Sequence, residues 1–174
     1  SKVMKKLSII LVMLVSVSML YAQETRMTRK EAKADRKAQL VEKTKALVNS
    51  GTWQFDATQM LPSSGRSRNL TSSYRVIVKE SEVDSYLPYF GRAYRAEYGS
   101  TASPLSFRGK ISDLRVENRE KGGWVISFKT ENKNDRLDFT FHITETGSAT
   151  LRVNSTNRQF ISYHGDLSEP DSRK

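Results

Sequence analysis

The chain has 174 residues, with 29 Lys and Arg against 19 Asp and Glu, two His and no Cys. That length suits one domain of the usual ~100–200 residues. The absence of Cys excludes disulfide staples, thiolate metal sites, a cysteine nucleophile and a lipid-modified N-terminal cysteine, and two His leave little material for a metal site or a general base near neutral pH.

Residues 1–22 read as an export signal. Met4 before Lys5-Lys6 reads as a start, the two lysines form a basic n-region, and Leu7 to Leu20 is uncharged and interrupted only by Ser8, Ser16 and Ser18. Such a run matches a signal-peptide core and falls short of the ~20 residues of a spanning helix. Cleavage after Ala22 would leave Gln23 as the mature N-terminus. The mature chain then carries 26 basic and 19 acidic residues, net +7, of which Glu24 to Lys45 holds eight basic and four acidic. The charge therefore sits mostly on one segment. An exported protein rarely meets nucleic acid, so that segment is expected to face solvent, anionic lipid or glycan. No transmembrane span is expected in the mature protein. Without disulfides, stability must come from the core, which a chain of this size can supply.

Residues 23–50 are expected to hold a basic helix. Thr28-Arg29-Lys30-Glu31 has the form of a capping box, and Ser50-Gly51 supplies the stop. Its apolar residues are small at first (Ala32, Ala34, Ala38) and larger later (Leu40, Val41, Leu47, Val48), so the C-terminal half is the half that should dock.

From Gly51 the hydrophobic period changes to two. Trp53, Phe55 and Ala57 alternate with polar neighbours, and Tyr74, Val76 and Val78 alternate with Arg75 and Lys79, although Ile77 makes that strand apolar on both sides. Phe107, Gly109 and Ile111 share one face, then Leu114 and Val116 take the opposite parity, a slip that predicts a bulge or bend near Ser112-Asp113. Trp124, Ile126 and Phe128 follow the Gly122-Gly123 turn. Leu137, Phe139, Phe141 and Ile143 form the next run, then Ala149, Leu151 and Val153, then Ile161 and Tyr163. Short connections between such runs predict an antiparallel meander over residues 51–167, followed by a polar tail, 168–174. One helix cannot cover so many one-sided strands. The fold class is therefore mainly β, a sheet curled into a barrel or folded into a sandwich, with one N-terminal α-helix.

Few residues offer chemistry. His142 shares a face with Asp138 and Thr140, opposite Phe139 and Phe141, and should face solvent; His164 lies beside Gly165. No Ser sits in a Gly-x-Ser-x-Gly turn. No catalytic residue, metal ligand or cofactor site is assigned, and the chain is expected not to be an enzyme. Gly65, Arg66 and Arg68 lie in a polar, basic connection that could hold an anion, although its spacing is not that of a phosphate loop. The densest signal runs from Asp84 to Gly99, where Tyr86, Tyr89, Phe90, Tyr94 and Tyr98 place five of 16 aromatics within 13 residues, with Arg92 and Arg95 between them. Flat rings beside planar guanidinium donors suit sugars or aromatic ligands. Tyr89, Arg92, Tyr94, Arg95 and Tyr98 are thus the candidate ligand residues. The competing expectation is a hydrophobic plug over a barrel mouth, with Tyr86 and Phe90 buried and Tyr89 and Tyr94 exposed.

Several blocks resemble the secreted Bacteroidota proteins of domain-of-unknown-function family 4251: Gly51-Thr52-Trp53-Gln54-Phe55-Asp56-Ala57, Gly65-Arg66-Ser67, and Asp84 through Leu87-Pro88-Tyr89-Phe90-Gly91 to Tyr94. Gly147 to Leu151, Asn157-Arg158-Gln159 and Ile161-Ser162-Tyr163 match the same pattern. The resemblance implies an exported, lipocalin-like antiparallel barrel and carries no catalytic residues with it. Together these readings favour a non-catalytic periplasmic, envelope or secreted binding module for a small or glycan-like ligand. The alternatives are a structural or interaction protein of the cell envelope and, more remotely, a carboxylate-dependent hydrolase.

Overall fold

The computed structural model describes residues 29–93 and 103–171. The export segment, Gln23, the Thr28 cap, and Tyr94, Arg95 and Tyr98 lie outside the described residues. Helix α1 spans Arg29–Ser50. Nine strands follow: β1 (Thr52–Pro62), β2 (Arg68–Lys79), β3 (Glu82–Tyr86), β4 (Ser106–Lys110), β5 (Ser112–Asn118), β6 (Trp124–Asn132), β7 (Asp135–Ile143), β8 (Ser148–Ser155) and β9 (Ile161–Ser168). The chain divides into two compact units after Arg36. The described residues of the first are the opening turns of α1, and the second holds the remainder of α1 and all nine strands.

Ala, Lys, Arg, Glu and Leu dominate α1, all strong helix formers. The helix stops where Gly51 takes φ +67°, a left-handed value that favours glycine, and the Gly51 amide donates back to the Val48 carbonyl (3.3 Å). Thr44, Leu47 and Val48 are its buried residues. Thr44 faces the β7–β8 turn, where a Cβ on Gly147 would lie 3.0 Å from the Thr44 hydroxyl. Leu40 does not dock as the size gradient suggests: it is 48% exposed, so only the last turns of the helix bury apolar area.

All strand pairs are antiparallel, in the order β4-β3-β2-β1-β9-β8-β7-β6-β5. Taken around a circle this is sequence order, broken only between β4 and β5. An odd number of meandering strands cannot close with every pair antiparallel. β4 and β5, separated only by Ile111, follow one bent course, which leaves eight strand courses in a nearly closed barrel whose edge strands are not paired with each other among the described residues. At the seam β4 packs on the end of β6: a Cβ on Gly109 would lie 2.6 Å from Thr130 Oγ1. The Asn132 amide donates to the Pro104 carbonyl (2.9 Å), and the Ile111 amide to that of Ser81 (2.7 Å). The expected bulge is present, with Asp113 at φ +53° and a register shift between Ser112 and Arg115.

Eight strands give a bore that side chains can fill. Trp53, Phe55, Met60, Phe128, Phe139 and Phe141 are each at most 2% exposed. Phe141 sits among four rings, edge-on to Trp53 (centroids 4.9 Å) and Phe55 (5.6 Å) and beside Phe128 (6.0 Å) and Phe139 (6.4 Å). The interior is a packed core.

The aromatic stretch that opens at Asp84 begins inside a strand the sequence does not mark: residues 84–86 belong to β3, whose inward residues are Val83 and Ser85 alone; five residues are too few to show a period, and pairing with β2 and β4 holds the strand. Leu114 and Val116 belong to a strand, but at 47% and 51% exposed they are not core.

Candidate functional site

One end of the barrel is closed by the chain after β3. Leu87, Pro88 and Leu105 are buried there. The Leu87 amide donates to the Leu105 carbonyl (3.2 Å), and the Ser85 and Ser103 hydroxyls donate to the carbonyls of Leu105 (2.7 Å) and Leu87 (2.5 Å). From inside the barrel the Tyr163 hydroxyl donates to the Pro88 carbonyl (2.5 Å). Carbonyls that would otherwise be buried without partners are thus satisfied.

Tyr89 then ties this lid to the β8–β9 connection. Its hydroxyl reaches the carbonyls of Gln159 (3.0 Å) and Arg92 (3.1 Å), and the Gln159 amide also donates to Arg92 (3.1 Å). Ala93 forms a single antiparallel bridge with Arg158. Arg158 lies 5.9 Å from the Tyr89 ring centroid, and its Nε is 3.5 Å from Asp135 Oδ2; the Arg158 and Asp135 side chains are both nearly buried. The Asp135 carboxylate also accepts from Ser155 Oγ (2.8 Å), Thr156 Oγ1 (3.1 Å) and the Asn157 amide (3.3 Å). The Leu-Pro-Tyr-Phe-Gly and Asn-Arg-Gln blocks, 70 residues apart, therefore meet as one latch.

The segment does cover the barrel end, but the plug expectation is reversed for Tyr86, Phe90 and Tyr89, and its placement of Tyr94 lies outside the described residues. Tyr86 and Phe90 are 53% and 58% exposed, whereas Tyr89 is half-buried with its hydroxyl engaged. Leu87 and Pro88 take the buried positions, Tyr89 is held at the rim, and Tyr86 and Phe90 are left in solvent. Tyr86 stacks on Tyr74 (5.4 Å). Arg68 lies over Phe90 (5.2 Å to the centroid), and Arg152 lies over Phe160 (4.0 Å), which is 40% exposed. Phe90 follows Tyr89 and Phe160 follows Gln159, so the two guanidinium-capped rings flank the latch. Arg92 is exposed beside them. Gly65 and Arg66 are exposed in the β1–β2 connection, and Arg68 faces a ring rather than an anion pocket. Phe160 and Arg152 are additions that no sequence motif marks. Continuing the β9 alternation back from Ile161 puts Phe160 on the solvent face, which is the one sequence signal for its exposure.

The two histidines lie on the outer wall across β7, β8 and β9, with Thr150 paired to both; Thr150 Oγ1 is 3.0 Å from His164 Nδ1. They border an open hollow of about 660 Å³ with Thr58 and Arg119. A second hollow of about 570 Å³ is lined mainly by Lys79, Glu82, Asp84, Arg108 and Lys110, with Asp84 and Arg108 paired at 2.8 Å. No cluster of His, Asp and Glu gathers as a metal site among the described residues, and no helix among them is long and apolar enough to cross a membrane.

Burial, and secondarily the nearby Tyr89, hold the Tyr163 phenol far above its ordinary ionisation range. The unfolded phenol ionises near pH ~10, so stability is fully present below that pH and falls as pH rises beyond it. Between about pH 10 and 11.5, Tyr163→Phe should flatten the loss by up to ~1.4 kcal/mol per pH unit. An unchanged slope in denaturant titrations would refute this.

The architecture defines a class: a filled, nearly closed antiparallel barrel whose latched end carries exposed aromatic rings. The model of the family described as a domain of unknown function, DUF4251, matches residues 35–167, and the chain belongs to that family. A DUF4251 family protein from Bacteroides eggerthii DSM 20697 has a similar crystal structure, with TM-score 0.57 and 17% identity over 76% of this chain and 89% of that one; at that identity the likeness concerns the fold. No curated protein matches the chain.

Proposed function

We propose that the protein is an exported, non-catalytic binding module acting in the periplasm, at the envelope or outside the cell, with the outer face of the latched barrel end as its ligand site. The observation that carries this reading is the pair of exposed rings capped by guanidinium groups, Arg68 over Phe90 and Arg152 over Phe160, mounted on the two connecting segments that the latch joins. Exposed rings contribute little to folding, and a planar cation held over each face keeps it ordered while leaving the edges accessible. Ring faces and edges match the C–H surfaces of a sugar, and guanidinium groups donate to its hydroxyls. A glycan-like ligand fits better than an apolar one, because the bore is full. The latch itself, through Tyr89 and Arg158, is the rigid mount, with Arg92 at its rim.

Titrating soluble oligosaccharides from bacterial and host glycans into the isotopically labelled protein tests the reading. Amide shifts should centre on residues 66–70, 89–93 and 158–162. Phe90→Ala and Phe160→Ala should each weaken binding roughly tenfold, the size of a good contact residue, while leaving stability nearly unchanged. Shifts centred elsewhere, or full affinity in both variants, would move the site off this face.

A further inference from the structure

The second surface that stands out is β5. It pairs only with β6 among the described residues, and all seven of its residues are exposed. Val116 is opposite Ile126, which is 2% exposed, so Val116 and, by alternation, Leu114 belong to the inward face of the sheet. They remain half exposed because the seam lies between β4 and the end of β6, which leaves the outer backbone edge of β5 unpaired among the described residues. Natural edges are blunted by charge, bulges or cover. The bulge at Ser112-Asp113 protects only the start of β5. The regular pairing with β6 runs from Arg115 to Asn118 and includes Val116.

We infer that this edge pairs with the same edge of a second copy, β5 against β5 about a two-fold axis at Val116. Such an axis places Val116 opposite its symmetry mate, Leu114 opposite Asn118, and Arg115 opposite Glu117, twice over. Within its own sheet Arg115 faces Ser127 and Glu117 faces Val125, so neither has an oppositely charged cross-strand neighbour. Centring the axis on Arg115 would oppose like charges, and centring it on Leu114 would require Asp113, which Lys129 already holds at 2.9 Å. The register that suits the charges thus has its axis within the regularly paired part of β5. A seam this short buries less than the roughly 1,200–2,000 Å² of a standard stable interface, so the dimer is a weak one, with dissociation in the micromolar range or above.

Sedimentation velocity over a concentration series up to about 1 mM, the weak limit of specific association, reads this directly. The unaltered protein should move from monomer to dimer. Arg115→Glu and Glu117→Arg should each weaken the dimer by at least roughly tenfold, because the axis doubles every repulsive pair. The double variant R115E/E117R should restore it. Circular dichroism melting of all three variants should match the unaltered protein, because these are exposed positions. A protein that stays monomeric throughout, a dimer indifferent to either single reversal, or a double variant that stays monomeric while folded would each overturn the inference.

Discussion

Phe141→Ala is expected to cost about 3–5 kcal/mol, the range for deleting a large buried ring. Phe141 is fully buried and touches Trp53 and Phe55 from β1 as well as Phe128 and Phe139 from β6 and its own strand, so it joins opposite walls of the barrel. Its edge-on contacts with Trp53 and Phe55 add about 0.5–1.5 kcal/mol each beyond buried area. The walls cannot collapse onto the void, because backbone hydrogen bonds hold the strands at fixed spacing and Phe141 itself pairs with Ile126 and Leu151. For a domain with ~5–15 kcal/mol of total stability this is a large fraction. Urea titration should show the midpoint moving sharply with little change in slope. A loss below about 1.5 kcal/mol would mean that the bore is loosely filled, and would make an interior ligand a serious reading.

Asp135→Ala should be comparably damaging, about 3–5 kcal/mol, for an electrostatic reason. The substitution removes the carboxylate that faces Arg158 and accepts from Ser155, Thr156 and the Asn157 amide, leaving a nearly buried guanidinium with no counter-charge. Arg158 supports the Tyr89 side of the latch, so damage should spread from the β6–β7 turn to the lid. Hydrogen exchange gives the specific readout. Amides of Asn157, Gln159 and Leu87 should lose protection first, while those of β6 and β7 near Phe139 keep theirs. Asp135→Asn keeps an acceptor for the hydroxyls but not the charge, and it should fall between the two. Equal protection loss everywhere would indicate that the ion pair supports the whole barrel rather than its end.

The same latch shows how the candidate site divides between composition and folding. That the region near residue 90 is special is legible from aromatic crowding, and Pro88 marks where the chain must turn. Which rings face outward is not legible, because Leu87 and Pro88, rather than the larger rings, fill the barrel end. Phe90 and Phe160 are brought to the same latch by the links of Tyr89 and Arg92 to Gln159 and of Ala93 to Arg158, among them a contact between residues 70 apart in sequence.

By itself the sequence determined the strand set apart from β3, the antiparallel meander, the bulge at Ser112-Asp113 and the helix stop at Gly51. Each rests on a local rule: side-chain period, turn chemistry or backbone conformation, which neighbouring residues settle among themselves. Only the tertiary structure decided that β4 and β5 are one bent course, that the seam closes between β4 and β6, and that Leu114, Val116 and Leu40 stay in solvent despite apolar patterning. Those outcomes depend on how far a twisted sheet must curl before its edges meet, a geometric property of all the strands together that no single segment encodes.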